Sequence, residues 1–395
     1  MKLSPHDVLL GLSSLRRLAL TLGAGLALLV GCGGAGEEGT GAQPTVNVGV
    51  LKAIDGDSVT VNGVQYARES AAVVDGFDNP LPADDLRLGM WVEVQGTVQA
   101  DAARGSARTI RVRPAVRGVV MAADGAGTTL SVLESQVLLG NASVVDPGIG
   151  LPGLQPGDLV EVHGPLGGSA GQVRASRVER LGTGAVPPRF ELRGRVSQLD
   201  AVARTLVVGR RTVVYDAAAV QLRRALEDGM VVRVSSQRAP VSGQPWAVER
   251  LVADQPLPAN LDFIYVEGVV TGFQSGPTFA LENLLVNATN AGNRAAVRAD
   301  GARVAVVGKL QDGVVQADLV TLIEEGEPVV FLLSGAVTAF ESPSAFRVRR
   351  VRVDASAAEF VAPARPEALA DAVKLRVRGS FRGRDLVATR VEFLP

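Results

Sequence analysis

A short segment of the form G-x-V returns along this chain at intervals of 67 to 76 residues, and that repeat limits the fold more than any other feature. It occurs as Gly49-Val50-Leu51, Gly118-Val119-Val120, Gly194-Arg195-Val196, Gly268-Val269-Val270 and Gly335-Ala336-Val337, the first slightly offset because Val50 follows its Gly directly. A short apolar strand follows each, at 58–61, 129–132, 205–208, 278–281 and 345–348. The later half of each copy carries a turn glycine leading into an alternating strand. It is clearest in Leu86-Arg87-Leu88-Gly89-Met90-Trp91-Val92-Glu93-Val94-Gln95-Gly96 and again over 154–164. Weaker versions run over 226–235 and 299–308, and the last, 372–379, has lost the turn glycine. A closing strand ends each copy, at 107–112, 173–178, 247–252, 315–319 and 386–391.

Alternation of period two places Val92, Val94, Val160, Val162, Leu375 and Val377 on an inward face, with Glu93, Glu161, Arg233 and Arg376 pointing the other way. Asn62-Gly63 between Val61 and Val64 is a two-residue hairpin signal, because both turn positions need positive φ. Gly209-Arg210 and Arg349-Arg350 hold the corresponding places with less suitable residues. Helical periodicity is scarce, and its best candidate is 364–374. Five short strands in about 70 residues bury too little surface unless the sheet curls shut, which also removes its edges. The chain is therefore expected to be all-β, with five tandem barrels of the oligonucleotide/oligosaccharide-binding (OB) type. A sandwich shared between neighbouring copies is the other arrangement that fits. The modules are 46–115, 116–182, 189–254, 263–325 and 329–395, separated by short Pro-rich joints that imply touching neighbours.

The first 45 residues differ in kind. Lys2, Arg16 and Arg17 flank an apolar run over 18–30, whose 13 residues fall short of the roughly 20 needed to cross a bilayer. Residues 1–31 thus read as a secretory signal. Leu29-Val30-Gly31-Cys32 resembles the lipobox of bacterial lipoproteins, with Val30 a mild departure from the usual small residue. That resemblance implies cleavage between Gly31 and Cys32 and acylation of Cys32, the only cysteine in the chain. It also implies a membrane partner through the lipid anchor and a mature net charge of −3. Residues 32–45 are the acylated Cys and a Gly-rich tether of roughly 20 Å span. Gly33, where aspartate would favour inner-membrane retention, implies the outer membrane, facing the periplasm or the cell surface.

The lipobox, the period of about 70 residues and the pattern G-x-V…L-x-x-G-x-x-V-x-V-x-G…A-x-x-[VI] together resemble bacterial lipoproteins built from domain of unknown function 5666. The resemblance covers roughly 46–395, strongest in the first two copies and weakest in the third. It implies an exported β-rich module and supplies no catalytic residues.

Composition limits the chemistry. One Cys and two His exclude a disulfide framework and any Cys-based zinc site, and leave His163 alone after the signal is removed. At the end of an alternating strand, where other copies carry Gln95, Val307 and Arg378, His163 is expected to be exposed and without a catalytic role. No catalytic residue, metal site or cofactor is expected. Asp55-Gly56-Asp57 lacks the later ligands of a calcium loop and reads as a turn. Asp75, Asp78, Asp84 and Asp85 read as a solvated acidic insertion. The fifth module has eleven Lys+Arg against seven Asp+Glu, and residues 264–328 have four against eight. Arg347, Arg349, Arg376, Arg378, Arg382 and Arg384 are therefore the candidate polyanion-binding residues. Against that stand the 36 Arg to 4 Lys of the whole chain and the absence of a stacking platform, so no nucleic-acid partner is expected. The resulting expectation is a lipid-anchored, non-enzymatic module array with structural or protein-interaction roles. Glycan or polyanion binding, chiefly by the basic C-terminal module, is the alternative.

Overall fold

The computed structural model describes residues 42–395 apart from 125–126, 141–142, 146–152, 182–188, 223–224, 254–256, 275, 294–296, 298, 325, 327 and 362–364. Gly31 and Cys32 lie outside the described residues. The described chain is nearly all β, and its strands form small barrel-like sheets.

The first segment shows how a barrel closes. Its first strand, Gln43–Asp55, runs antiparallel to Ser58–Val61, which forms a hairpin with Val64–Ala67. The third strand pairs in parallel with the last, Arg104–Val112. The last is antiparallel to Trp91–Val98, which is antiparallel to the first, so the ring has no free edge. The strand order around the ring is one, two, three, five, four.

The same circuit recurs four times. It begins at Pro114–Ala123, Phe190–Asp200, Leu261–Thr271 and Phe331–Ser342, and each time the third strand pairs in parallel with the fifth. In the second and third segments the fifth strand is broken, into Gln172–Arg174 with Arg177–Arg180 and Trp246–Val248 with Arg250–Ala253.

The repeat motifs have local physical causes. A Cβ on Gly49 would strike Asn62, one on Gly118 would strike Leu133, and one on Gly335 would press on Arg349, so the first motif's glycine lies beneath the hairpin tip. Asn62 and Gly63 both have positive φ, as the hairpin signal requires, and Arg349 and Arg350 adopt the same conformation without that help. The glycine that ends V-x-V-x-G marks a β-bulge. The register slips at Gly96, Gly308 and Gly379, where a Cβ would come far closer than 3.0 Å to a carbonyl oxygen of the fifth strand. The third segment has Ser236 at that place, and its fourth and fifth strands pair with no slip.

The inward set is as the alternation indicates: Val92, Val94, Val160, Val162, Leu375 and Val377 are fully buried. Their opposite face is not solvated, however. Glu93, Glu161 and Arg233 are buried too, because the barrels pack outer face to outer face. Neighbours in space are not only neighbours in sequence. The first strand of segment one pairs in parallel with that of segment four, from Thr45↔Phe263 to Val48↔Val266, and with that of segment five at Ala53↔Leu332 and Ile54↔Leu333. Segments two and three join antiparallel, with Glu191 opposite Arg117 and Leu192 opposite Val116.

The expected helix at 364–374 does not form. Its described part is a three-residue 3-10 turn, Pro366–Ala368, followed by a strand from Lys374. Pro366 and the preceding extended Arg365 explain why Ala and Leu content does not prevail there.

Candidate functional site

The polar residues that alternation placed on outer strand faces converge where the barrels meet. First and fourth strands supply most of them, because those two strands turn their outer faces toward the other segments.

Glu282 is the meeting point. It sits at the hairpin turn of segment four with φ 55° and is buried. Its carboxylate accepts from Arg193 of segment three, whose side chain is fully buried, and from the backbone N–H of Leu166 of segment two at 3.2 Å. Arg113, leading into segment two, lies 3.9 Å away and also pairs with Glu93 of segment one at 3.1 Å. Arg111 reaches Glu93 at 2.9 Å. One connected set of charges therefore touches the first four segments. Further bonds join the same bodies: Ser176 Oγ donates to Gly89 O (2.8 Å), Arg177 to Leu88 O (3.1 Å), Arg174 to Gly301 O (3.1 Å) and Arg250 to Phe77 O (3.2 Å).

His163 belongs to a second buried charged cluster, within segment two. Contrary to the expectation of an exposed strand site, it is fully buried, with Nε2 2.8 Å from Glu161 Oε1. Glu161 also accepts from Arg117, opposite it on the neighbouring strand. Burial alone would push the Glu161 carboxyl up. The hydrogen bond and charge of His163, together with those of Arg117, prevail and hold it far below the ordinary carboxylate range. Glu191 goes the other way: burial pushes it up, and Arg233 and Arg117 only partly offset that.

These directions give a pH dependence. Because the folded pKa of Glu161 lies below its unfolded value near 4.5, its stabilising contribution is fully present above that pH. It is lost as pH falls through the folded pKa, in strong acid. The stability gap between the native chain and Glu161→Gln is therefore expected to shrink as pH falls below about 4. Urea titrations of both proteins at stepped pH measure it, and a gap that widens in acid would contradict the pairing.

The acidic insertion of segment one is a docking element rather than a solvated loop. Asp75 accepts from the N–H groups of Phe77 and Asn79 at 2.8 and 2.9 Å, folding the loop on itself. That presents Phe77, nearly buried, to three guanidinium groups of segment three: Arg250 at 4.5 Å, Arg189 at 5.6 Å and Arg233 at 5.9 Å from the ring centroid. Asp78 pairs with Arg111. Asp84 and Asp85 remain exposed, the former 3.7 Å from Arg349. Among the described residues no group of three or more His, Cys, Asp or Glu could hold a metal.

The C-terminal arginines do not act as one free face. Arg376 is bound to Asp55 of segment one at 2.9 Å and to Glu392 at 3.3 Å, so it fastens the fifth segment to the first. Arg349 donates to Ser334 O at 2.7 Å, and Arg384 lies 3.9 Å from Asp385. Arg347, Arg378 and Arg382 have no carboxylate within 4.0 Å among the described residues, and Arg378 and Arg382 are exposed. Arg378 lines a groove of about 570 Å³ between segments one and five, with Arg376 and Arg390. A larger cleft, about 780 Å³, opens among segments one, three and four and is bordered by Phe77, Arg195, Arg250, Leu257, Leu284 and Leu285.

Comparison with known families bears on the repeat. Residues 48–110, 117–179 and 193–249 each match one family, described as a domain of unknown function (DUF5666). The chain carries three tandem copies of this domain. Each DUF5666 match starts within the first strand or just inside it and reaches into the fifth, so the family's unit is the five-strand circuit. Residues 261–322 and 331–393, beyond those matches, trace the same circuit. No curated protein matches the chain.

Sequence reasoning missed the charged junction for an identifiable reason. Alternation tells inside from outside of one barrel and carries no information about what covers the outside. One signal was available: Glu191, Arg193 and Arg195 alternate with Leu192 and Gly194 on the first strand of segment three, which is more charge than a solvated strand needs.

Proposed function

We propose that this chain is an exported, lipid-anchored protein of the bacterial envelope, whose five OB-like barrels form a non-enzymatic assembly for structural or binding roles. The observation that carries the reading is how the buried titratable groups are used. Glu93, Glu161, His163, Glu191, Arg193 and Glu282 are engaged with one another or with further arginines at contacts between barrels. The Glu282–Arg193 pair joins segments four and three, and the pairs of Glu93, Glu161 and Glu191 fix side chains within their own segments beside those contacts. The strand order one, two, three, five, four, with its parallel three–five pair, supports the OB-like reading of each module. The anchor rests on the sequence alone: an apolar run, Gly31, the lone Cys32 and a Gly-rich tether. Two or three acyl chains, at about 0.8 kcal/mol per buried CH₂, would hold such a body at a membrane.

Mass spectrometry of the N-terminus from native envelopes tests the anchor. An acylated Cys32 is expected, and Cys32→Ala should strand the precursor or release the protein. An unmodified N-terminus on the native protein would overturn the localisation. Cross-linking in intact envelopes tests the interaction role, which requires a reproducible protein neighbour under more than one chemistry.

A further inference from the structure

The cleft among segments one, three and four has the composition of a ligand site, although its Phe77, Arg250 and Glu282 also join segments. Its volume, about 780 Å³, is within the range of small-molecule sites. The wall has two parts. One is apolar, with Leu257, Leu284 and Leu285, and Leu285 is 49% exposed at the mouth. It is the one exposed large hydrophobic side chain on the cleft among the described residues. The other part is cationic. Arg250 lies over the Phe77 ring and donates to the Phe77 carbonyl, while Arg195 donates to the carbonyls of Gly229 and Glu282. Neither guanidinium has a carboxylate within 4.0 Å among the described residues; Arg250 is half-buried and Arg195 exposed, whereas the fully buried Arg193 and Arg233 each pair with a glutamate. The carboxylates on the cleft face elsewhere or lie at its rim: Glu282 is taken by Arg193, Asp78 by Arg111, and Glu227 and Asp228 are exposed.

We infer that this cleft binds a single-chain amphiphile with a monoanionic carboxylate head, the head held by Arg195 and Arg250 and the chain lying along Leu257, Leu284 and Leu285. Two cations held in place by carbonyls and an aromatic ring are already oriented, so an anion gains their charge without reordering them. The rim carboxylates Glu227 and Asp228 repel a second negative charge, which selects a carboxylate over a phosphate monoester. The half-exposed Leu285 gains most from a covering alkyl chain, at about 25 cal/mol per Å². A sugar has no open aromatic face to stack on here, since Phe77 is nearly buried among guanidinium groups.

The test is a fluorescence titration of the full chain with dansylaminoundecanoate below its micelle concentration, with competition by laurate, methyl laurate and dodecyl phosphate. Saturable binding is expected, with laurate displacing the probe at concentrations at least tenfold lower than the ester or the phosphate. Leu285→Glu, at an exposed position, is expected to weaken probe binding at least tenfold with unchanged circular dichroism, and Arg250→Ala similarly. Should Arg250→Ala fail to fold, Leu285→Glu alone decides the location. Absence of saturable binding, equal displacement by laurate and methyl laurate, or stronger displacement by dodecyl phosphate would overturn the proposal. So would a Leu285→Glu protein that binds the probe within twofold of the native chain.

Discussion

Replacing Glu282 by alanine is expected to destabilise the folded chain by about 3–5 kcal/mol, because it leaves the fully buried Arg193 without its carboxylate. The magnitude follows from an asymmetry of buried ion pairs. Bringing both charges out of water costs nearly as much as their attraction returns, so the intact pair adds little net stability. Removing one member leaves the other's desolvation uncompensated. The double variant Glu282→Met with Arg193→Met should therefore recover much of the loss. Urea denaturation of the native chain and the single and double variants checks this, read through near-ultraviolet signals of Trp91 in segment one and Trp246 in segment three. Both signals should shift together in the Glu282 variant, since its carboxylate touches residues of the other three segments at the junction. A loss below 1 kcal/mol would mean that the Glu282 contacts are solvated and unimportant.

A second large effect is expected at the bulge glycines. Gly96→Ala and Gly308→Ala should each cost about 1–3 kcal/mol, the range of overpacking, because the new methyl meets backbone rather than a side chain that could turn aside. Backbone at that point is held by ladder hydrogen bonds on both flanks of the bulge. Gly140→Ala serves as the contrast. A Cβ there meets nothing within 4 Å, and thermal denaturation should show almost no change. If all three variants melt alike, the reading of V-x-V-x-G as a bulge motif is wrong.

How much of this was legible in the sequence divides along a physical line. Period-two alternation identified the barrel interiors correctly, because Val92, Val94, Val160 and Val162 need only know which side of their own sheet is closed. Asn62-Gly63 fixed a hairpin, since its conformation is a local property of two residues. What lay between barrels was not legible. His163 looks exposed when its strand is compared with the other copies, and it is buried because the outer face of segment two is covered by other segments. Arg376 looks like part of an anion-binding face, yet Asp55, 321 residues away in the chain, neutralises it. Short joints suggested contact between sequence neighbours. The parallel pairing of the first strands of segments one and four depends on surfaces separated by two whole modules. The acidic loop shows the same limit in miniature, because only the arginines of segment three give Phe77 its role.

Buried charges and shared strand edges gather the barrels into one body instead of a flexible row. Small-angle X-ray scattering of the chain from residue 33 onward measures this directly. A body of about 350 residues packed as one unit has a radius of gyration of roughly 20–23 Å, whereas five 70-residue barrels strung end to end would give roughly 40 Å. The smaller value is expected, unchanged when salt is raised, because the junction charges are screened little where they are buried. A radius near the larger value, or one that grows steadily with salt, would contradict it.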